Sequence, residues 1–287
     1  MTKESELVLA PDGSLYHIHL TYDTLADNVI LVGDPGRVDM FKPMFANIEY
    51  ESYNREMHAV TGTLRDNKRT TVLSTGMGTD NIDIVMTELD AAANMDLVTR
   101  MPRYDLRTLN IVRIGTSGSL QADIPCGSYV ASAYTVGLDG LLNYYVHTDD
   151  QLDSRLAQKF QQHMGFDTCF ARPYGVKGSA GLLGRIATDM HHGITATAPG
   201  FYAPQGRNIR IRPAIDDLNE KLSTFEYEGV RLTNLEMETS AIYGMSSLMG
   251  HNALTVCLII ANRPTGQFLN DYHPQMEALI ETVLNRL

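Results

Sequence analysis

The stretch Asn28-Val29-Ile30-Leu31-Val32 is apolar after its first residue and ends at Gly33. A short continuous apolar run that stops at a turn residue is typical of a strand buried on both faces. Runs of the same kind recur at residues 69–74, 109–114, 129–134, 194–198 and 253–261. We therefore expect a sheet with several buried strands, of which 253–261 is a central one.

Helical patterns lie between these predicted strands. We expect Asp80 to cap a helix, because apolar residues follow it at the helical spacing. Further helices are expected over residues 151–164, after Glu238 and at the C-terminus. The apolar positions that carry these patterns are Ile82, Val85, Met86, Leu89, Ala92, Ala93, Ala241, Ile242, Met245, Leu248, Met249, Leu279, Ile280, Val283, Leu284 and Leu287. The alternation predicts an α/β fold, a mixed sheet covered by helices, and we expect one domain over residues 1–287 because no linker interrupts the chain.

The composition excludes several classes of protein. The chain has 287 residues and a net charge of -11, and it has no basic run, so we expect no nucleic-acid partner. Cys126, Cys169 and Cys257 have no CxxC spacing, which favours reduced thiols over a disulfide framework or a zinc site. The N-terminus is polar and no run of about 18 apolar residues occurs. We therefore expect a cytoplasmic protein with no membrane segment.

Residues 201–207 form a Pro/Gly loop with the sequence Phe-Tyr-Ala-Pro-Gln-Gly-Arg. An aromatic ring such as that of Phe201 can stack on a flat base. Gln205 offers an acceptor and donors, and Arg207 offers only donors, so together they can match the O2, N3–H and O4 edge of uracil. Taken alone, an ordinary loop with one polar pair is the simpler interpretation.

Two segments could bind a phosphate. Residues 33–37 read Gly-Asp-Pro-Gly-Arg, in which glycine admits backbone N–H groups to an anion and Arg37 adds a bidentate donor. A strand-end turn with a surface arginine explains that segment equally well. Arg113 lies one residue before the end of a predicted strand and precedes the glycine-rich residues 115–118, which we expect to form a phosphate-binding turn. A buried arginine paired with a core carboxylate is the alternative for Arg113.

Glu236 and Glu238 lie at a predicted strand-to-helix junction. In a strand, residues two apart face the same way, so both carboxylates could accept hydrogen bonds from sugar hydroxyls. A helix-capping pattern is equally consistent with this spacing. Two neighbouring carboxylates also occur in glycosidases, but that chemistry needs an acid with a raised pKa, which the sequence does not indicate. His17 and Arg55, taken singly, carry no functional signal.

The ordered set of motifs is more specific than any member of it. In chain order the motifs are GDPGR (33–37), STGMG (74–78), RIGTSG (113–118), FYAPQGR (201–207), NLEME (234–238) and ANR (261–263). Together they resemble the nucleoside phosphorylase-I family, and within it the members that act on uridine, from about residue 17 to residue 263. The resemblance implies a central mixed sheet, partly barrel-like, surrounded by helices. It also implies reversible phosphorolysis of uridine to uracil and ribose 1-phosphate, with inorganic phosphate as co-substrate and no cofactor.

The resemblance assigns a role to each matching residue. Phosphate would be held by Gly33, Arg37, Arg113 and Thr116, with Arg55 reaching the phosphate of a neighbouring subunit. Uracil would be held by Phe201, Gln205, Arg207, Ile260 and Ala261. Ribose would be held by His17, Glu236, Met237 and Glu238, with His17 crossing to the partner subunit's 5′-hydroxyl. The catalytic residues would be Arg207, Gln205 and Arg113, with a homodimer as the smallest active unit and a hexamer left open.

Two departures from the family pattern bear on the expected ligands. Purine-specific members carry a Ser-Asp pair after the last core strand, whereas residues 260–263 here read Ile-Ala-Asn-Arg, which argues against purines. Bacterial uridine enzymes often bind a monovalent cation at the dimer interface. Glu56 matches part of that site, but residues 79–81, Thr-Asp-Asn, differ from the usual small residues. A cation near Glu56 is therefore an open expectation.

Three other functions stay open at this point. A broader pyrimidine nucleoside phosphorylase would also accept thymidine or deoxyuridine. A nucleoside hydrolase would use water, although the three arginines at 37, 55 and 113 argue against it. A non-catalytic nucleoside-binding protein could keep the same binding residues without turnover.

Overall fold

The computed structural model describes residues 2–287 as an α/β protein with seven α-helices in that range. The strands are β1 (Asn28–Val32), β2 (Phe45–Asn54), β3 (Met57–Leu64), β4 (Arg69–Ser74), β5 (Met95–Asp96), β6 (Met101–Pro102), β7 (Asn110–Ser119), β8 (Tyr129–Gly137), β9 (Tyr174–Lys177), β10 (His191–Thr197), β11 (Glu226–Tyr227), β12 (Val230–Glu236), β13 (Asn252–Asn262) and β14 (Gln267–Phe268). The helices are α1 (Pro35–Phe41), α2 (Thr79–Asn94), α3 (Ser154–Met164), α4 (Ala180–Ile186), α5 (Leu218–Ser223), α6 (Thr239–Met249) and α7 (His273–Arg286).

The chain divides into two compact units. The first unit ends at Val112 and also includes residues 249–252, and the second unit comprises residues 113–248 and 253–287. In the first unit, four strands form a sheet in the order β2-β3-β4-β1, in which only β1 and β4 are parallel. The two-stranded pair β5-β6 lies apart from that sheet.

In the second unit, five strands close on one another to form a barrel. Their order is β7-β13-β8-β10-β12, and β12 pairs again with β7 through Asn234–Ser119 and Leu235–Gly118. The short strands β11, β9 and β14 pair with β12, β8 and β13. Helices α3 and α5 cover one side of the barrel through an apolar cluster that includes Leu156, Phe160 and Leu222. The predicted α/β class, with a mixed and partly barrel-like sheet surrounded by helices, is confirmed.

The predicted strands agree with the structure at most positions. Strands β1 and β4 have the predicted bounds, and the strands predicted at 129–134, 194–198 and 253–261 lie within or overlap longer ones. The C-terminal helix buries its predicted apolar face, which comprises Leu279, Ile280, Val283, Leu284 and Leu287. The prediction of one domain over residues 1–287 stays a prediction. No helix within residues 2–287 is long and apolar enough to cross a membrane.

Two predictions about local structure were wrong. The cap of α2 is Gly78, whose φ of 92° only glycine adopts readily, so the helix begins before Asp80 and that carboxylate lies in the first turn. The glycine-rich residues 115–118 do not form a turn, because β7 continues through them to Ser119. Barrel closure is the reason, since Gly118 and Ser119 pair with β12.

The contact between β10 and β12 gives a test of the barrel. A Cβ added at Gly193 would lie 2.0 Å from Oγ1 and 2.7 Å from Cβ of Thr233 on the paired strand. We expect Gly193→Ala to lower the free energy of unfolding by about 1–3 kcal/mol, because hydrogen-bonded strands cannot move apart to make room for the added methyl group. The matched control is Gly184→Ala in α4, where no atom lies within 4 Å and alanine favours the helix. Equal thermal unfolding midpoints for the two variants would contradict this packing.

Candidate active site

A buried arginine organises one end of the barrel. Arg113 on β7 is 4% exposed and donates through Nη2 to Oε2 of Glu238, while its Nη1 lies 3.5 Å from Oε2 of Glu236. Its Nη1 also lies 3.7 Å from Sγ of Cys257 on β13. A Cβ at Gly115 would lie 1.9 Å from Nη1, so glycine is required there to make room for the guanidinium. The glycine that resembled part of a phosphate-binding turn therefore accommodates the neighbouring side chain.

The two carboxylates keep this arginine charged. Burial alone would lower the pKa of Arg113, but Glu238 and then Glu236 outweigh burial, and the pKa is raised. Burial also raises the pKa of the Cys257 thiol to about 12, so the sulfur beside the guanidinium is a neutral thiol. Nε of Arg113 is buried and has no hydrogen-bond partner among the described residues. The site therefore contains the charged guanidinium of Arg113, two carboxylates and one N–H donor, Nε of Arg113, that bonds to no described residue.

Glu236 has a second task at the start of α6. Its carboxylate accepts hydrogen bonds from the backbone N–H groups of Glu238 and Thr239 at 3.0 Å, and from Oγ1 of Thr197 at 2.7 Å. Both alternatives that the sequence left open are thus seen here: a buried arginine paired with core carboxylates, and a carboxylate that caps a helix. The proposed roles of Arg113 in phosphate binding and of Glu236 and Glu238 in ribose binding stay predictions.

The loop at residues 201–207 brings an aromatic ring, an amide and a guanidinium together. Gln205 is 3% exposed, and its Oε1 accepts a hydrogen bond of 2.7 Å from Nη1 of Arg207. The Arg207 guanidinium lies 3.6 Å above the ring of the half-exposed Phe201 and also donates to its carbonyl oxygen. Arg207 therefore contacts both Phe201 and Gln205, and these are three of the five residues predicted to hold the base.

A second arginine joins this group, and the sequence analysis gave it no role. Arg263, directly after β13, donates through Nη2 to Oε1 of Gln205 at 3.4 Å. Desolvation, and then the neighbouring Arg263, lower the pKa of Arg207 to about 10, and burial lowers the pKa of Arg263. Within residues 2–287 neither arginine forms a salt bridge. Two guanidinium groups without a carboxylate partner favour a ligand that carries or develops negative charge.

Half-buried residues complete the predicted set in the second unit. Ile260 and Ala261 lie at the end of β13, and Met237 lies between β12 and α6. Thr116 lies within β7 and is also half-buried.

The sequence does contain one signal for Arg263 as a binding residue. It directly follows the apolar strand β13, and ligands in such sheets bind beyond the strand ends.

The first unit holds the other predicted residues. A Cβ at Gly33 would lie 3.5 Å from the carbonyl oxygen of Gly76 and 3.6 Å from Nη2 of Arg37. Residues 33–37 form the start of a helix, because Asp34 caps α1 by accepting a 2.9 Å hydrogen bond from the N–H of Gly36. Arg37 thus lies on α1 beside Gly33, and its proposed role in phosphate binding stays a prediction.

The turn between β2 and β3 presents Arg55. This residue is exposed and has a φ of 54°. The next residue, Glu56, is held in place because Oγ of Ser74 donates to its carbonyl oxygen at 2.6 Å. Nδ2 of Asn81 donates to Oε1 of Glu56 at 3.1 Å. The monovalent cation expected near Glu56 stays a prediction. No group of three or more His, Cys, Asp or Glu within residues 2–287 is placed to hold a metal ion.

His17 is held by a residue that the sequence analysis missed. Its Nδ1 lies 2.6 Å from Oε1 of Glu88, which is 71 positions away in the chain. No local sequence pattern connects these two residues, so only the folded structure reveals the pair.

The second unit thus contains a closed barrel, a buried arginine–carboxylate group and a loop whose amide and guanidinium groups could bind a small polar ligand. Residues 27–285 match the family model of the phosphorylase superfamily, so the chain belongs to this superfamily. Similar proteins include a uridine phosphorylase of Thermococcus kodakarensis, which is 27% identical over 264 residues, or 90% of this chain and 80% of the relative. A DeoD-type purine nucleoside phosphorylase of Colwellia psychrerythraea is 27% identical over 277 residues, or 93% and 98% of the two chains.

A solved structure shows the same fold over almost the whole chain. The nucleoside phosphorylase of Trypanosoma brucei, which shows uridine phosphorylase activity, superposes with a TM-score of 0.82 at 27% identity, covering 98% of this chain and 100% of that chain. A uridine phosphorylase of Phytophthora capsici, at 21% identity and a TM-score of 0.69, agrees in fold. These findings support nucleoside phosphorylase activity, and the names of the relatives are divided between uridine and purine nucleosides.

The buried ion pair gives a test of the site's architecture. We expect Glu238→Gln to lower the free energy of unfolding by about 3 kcal/mol, because it removes a carboxylate from a buried guanidinium. Glu228→Gln is the matched control, since that exposed carboxylate should contribute less than about 0.5 kcal/mol. Urea unfolding followed by circular dichroism measures both. A Glu238→Gln variant as stable as the control would mean that Arg113 does not depend on this carboxylate.

Proposed function

We propose that this protein catalyses the reversible phosphorolysis of uridine to uracil and ribose 1-phosphate. The observation that carries the proposal is the buried Gln205, whose carboxamide oxygen accepts hydrogen bonds from Arg207 and Arg263 beside the ring of Phe201. Uracil presents acceptors at O2 and O4 and a donor at N3, and an amide with two arginines can satisfy that edge. The names of the Thermococcus and Trypanosoma relatives support the same substrate.

The end of β13 favours a pyrimidine over a purine. A departing purine is helped by a proton, and the purine-specific members of the family supply it from an aspartic acid. Here the corresponding segment offers Asn262, whose Nδ2 donates to the carbonyl oxygens of Gln121 and Ile124 at 2.9 Å. Its Oδ1 accepts from the N–H of Thr265 at 3.0 Å. This side chain is committed to the protein interior and provides no acid for a purine.

The chemistry follows from the charges at the base loop. As the C1′–N1 bond breaks, its electron pair moves into the uracil ring and spreads over O2, N3 and O4, while the ribosyl group becomes oxocarbenium-like. Arg207, supported by Arg263, stabilises the leaving group by electrostatic interaction and needs no strong acid. Inorganic phosphate attacks C1′ from the opposite side, so no covalent intermediate with the protein forms. Holding both substrates in line supplies much of the remaining rate.

The position of Arg207 bears on how the base binds. In the structure its guanidinium covers the ring face of Phe201 and takes one lone pair of the Gln205 oxygen. A stacked uracil needs that ring face, and its N3–H needs that oxygen. We infer that Arg207 leaves Phe201 and turns to the edge of the base when uridine binds.

The remaining roles rest on the resemblance to the family. Phosphate contacts are proposed for Arg113 and Thr116 in the second unit, and for Gly33, Arg37 and the neighbouring subunit's arginine at position 55. Arg113 supports this assignment, since its charge is retained and its Nε has no described partner. Since His17 and Arg55 would serve a neighbour, a homodimer is the smallest active unit. No organic cofactor takes part in the proposed reaction.

The proposal is tested by uracil release from uridine, followed by ultraviolet absorbance with and without inorganic phosphate. Thymidine, 2′-deoxyuridine and inosine are run in parallel. We expect phosphate-dependent loss of uridine and no loss of inosine, and turnover of thymidine would broaden the substrate class to pyrimidine nucleosides. Release without phosphate would indicate a hydrolase. Binding of uridine without any turnover would indicate a nucleoside-binding protein.

Replacing Arg207 separates the leaving-group role from phosphate binding. We expect Arg207→Ala to lower kcat by roughly 10²–10³-fold, because the developing negative charge on uracil loses its main donor. The KM for phosphate should change little. Arg210→Ala, three positions further along the same loop and exposed, is the matched control and should keep full activity. An equal loss in kcat and in phosphate affinity would contradict the role given to Arg207.

A further inference from the structure

Glu88 lies on a buried face of α2 among apolar neighbours, which is unusual for a carboxylate. The residue is 9% exposed, and Val85, Leu89 and Ala92 of the same helix are fully buried. A carboxylate in such surroundings needs hydrogen-bond donors to offset its desolvation. Three donors come from one short segment far away in the sequence. They are Nδ1 of His17 at 2.6 Å, the N–H of His17 at 3.0 Å and the N–H of Ile18 at 3.0 Å.

These contacts fix the protonation pattern of the imidazole. A carboxylate only accepts hydrogen bonds, so Nδ1 of His17 must carry the hydrogen, and Nε2 of the neutral ring is then an acceptor. The backbone is fixed as well, because the carbonyl oxygen of His17 accepts from Nδ2 of Asn54 at 3.1 Å. The ring of Tyr16 packs edge-on against the imidazole at 4.9 Å between centroids. The His17 side chain nevertheless keeps 27% of its surface exposed, so a ligand can reach it.

We propose that Glu88 is a positioning residue that sets the tautomer and orientation of His17, so that Nε2 accepts a hydrogen bond from the nucleoside 5′-hydroxyl. This inference rests on the proposed function, in which His17 meets that hydroxyl in the partner subunit's site. Glu88 touches no substrate and takes no part in bond cleavage. Its effect is confined to the preference for nucleosides that carry a 5′-hydroxyl.

The test compares uridine with 5′-deoxyuridine in the presence of phosphate. We expect the wild type to prefer uridine by roughly tenfold in kcat/KM, which is about the value of one hydrogen bond in a binding site. Glu88→Gln should bring that preference close to that of His17→Ala, because a glutamine oxygen cannot accept from all three donors. The NH2 group of the glutamine, if it faced the imidazole, would place a second donor against Nδ1–H. The kcat/KM of Glu88→Gln for 5′-deoxyuridine should stay within about twofold of the wild-type value, since that substrate makes no contact with Nε2 of His17.

A double variant and a matched control separate positioning from general damage. If Glu88 acts through His17, adding Glu88→Gln to His17→Ala should not change the preference further, because the two effects are not additive. Glu281→Gln, on the exposed face of α7, makes the same chemical change and should leave the preference unchanged. A Glu88→Gln variant that keeps the full preference for uridine would overturn the proposal. A drop in turnover of both substrates to the same degree would also overturn it.

A spectroscopic measurement on the unaltered protein decides the matter if Glu88→Gln does not fold. Nitrogen-15 NMR of selectively labelled histidines, with His17→Ala used to assign the signal, reports which ring nitrogen carries the hydrogen. We expect Nδ1–H for His17, and a hydrogen on Nε2 with Nδ1 bare would refute the role of Glu88. Absence of any uridine turnover in the wild type would instead defeat the proposed function, and with it the role given to Nε2, whatever tautomer is observed.

Discussion

The arrangement of residues at one end of the barrel depends on the burial of one guanidinium, that of Arg113. A charge removed from water must be neutralised within the protein, and Arg113 is neutralised by Glu238 and Glu236. Glu236 also accepts from the first N–H groups of α6, so the same carboxylate joins the arginine to a helix start. Gly115 is needed because no side chain fits beneath the guanidinium. These two ion pairs thereby connect β7, β12 and the start of α6.

The base loop shows the opposite arrangement of charge. Arg207 and Arg263 converge on the oxygen of Gln205 in a chain with a net charge of -11, yet no described carboxylate pairs with either of them. Hydrogen bonds to neutral oxygens offset only part of their desolvation, and a ligand with developing negative charge would offset more of it. The site thus combines one arginine that is paired with two carboxylates, Arg113, with two arginines that have no described carboxylate partner.

Local patterns predicted the regular elements well and the site contacts less well. The apolar runs at Asn28–Val32 and Arg69–Ser74 gave strand bounds that the structure reproduces, because burial on both faces leaves a clear signal. The glycines at 115 and 118 led to a wrong prediction of a turn, since Gly115 makes room for Arg113 and Gly118 lies within β7, where it pairs with Leu235 of β12. The link between Glu88 and His17 spans 71 positions and has no local signal. Arg263 was missed because its partner, Gln205, lies in another segment.

A crystal structure of the protein with uracil and inorganic phosphate is the most direct test of the proposed base site. We predict uracil stacked on Phe201, its edge bonded to Gln205 and to an Arg207 that has left the aromatic ring, with Arg113 still paired to Glu238. Uracil bound away from Gln205, or Arg207 unmoved over Phe201 with the base elsewhere, would contradict it.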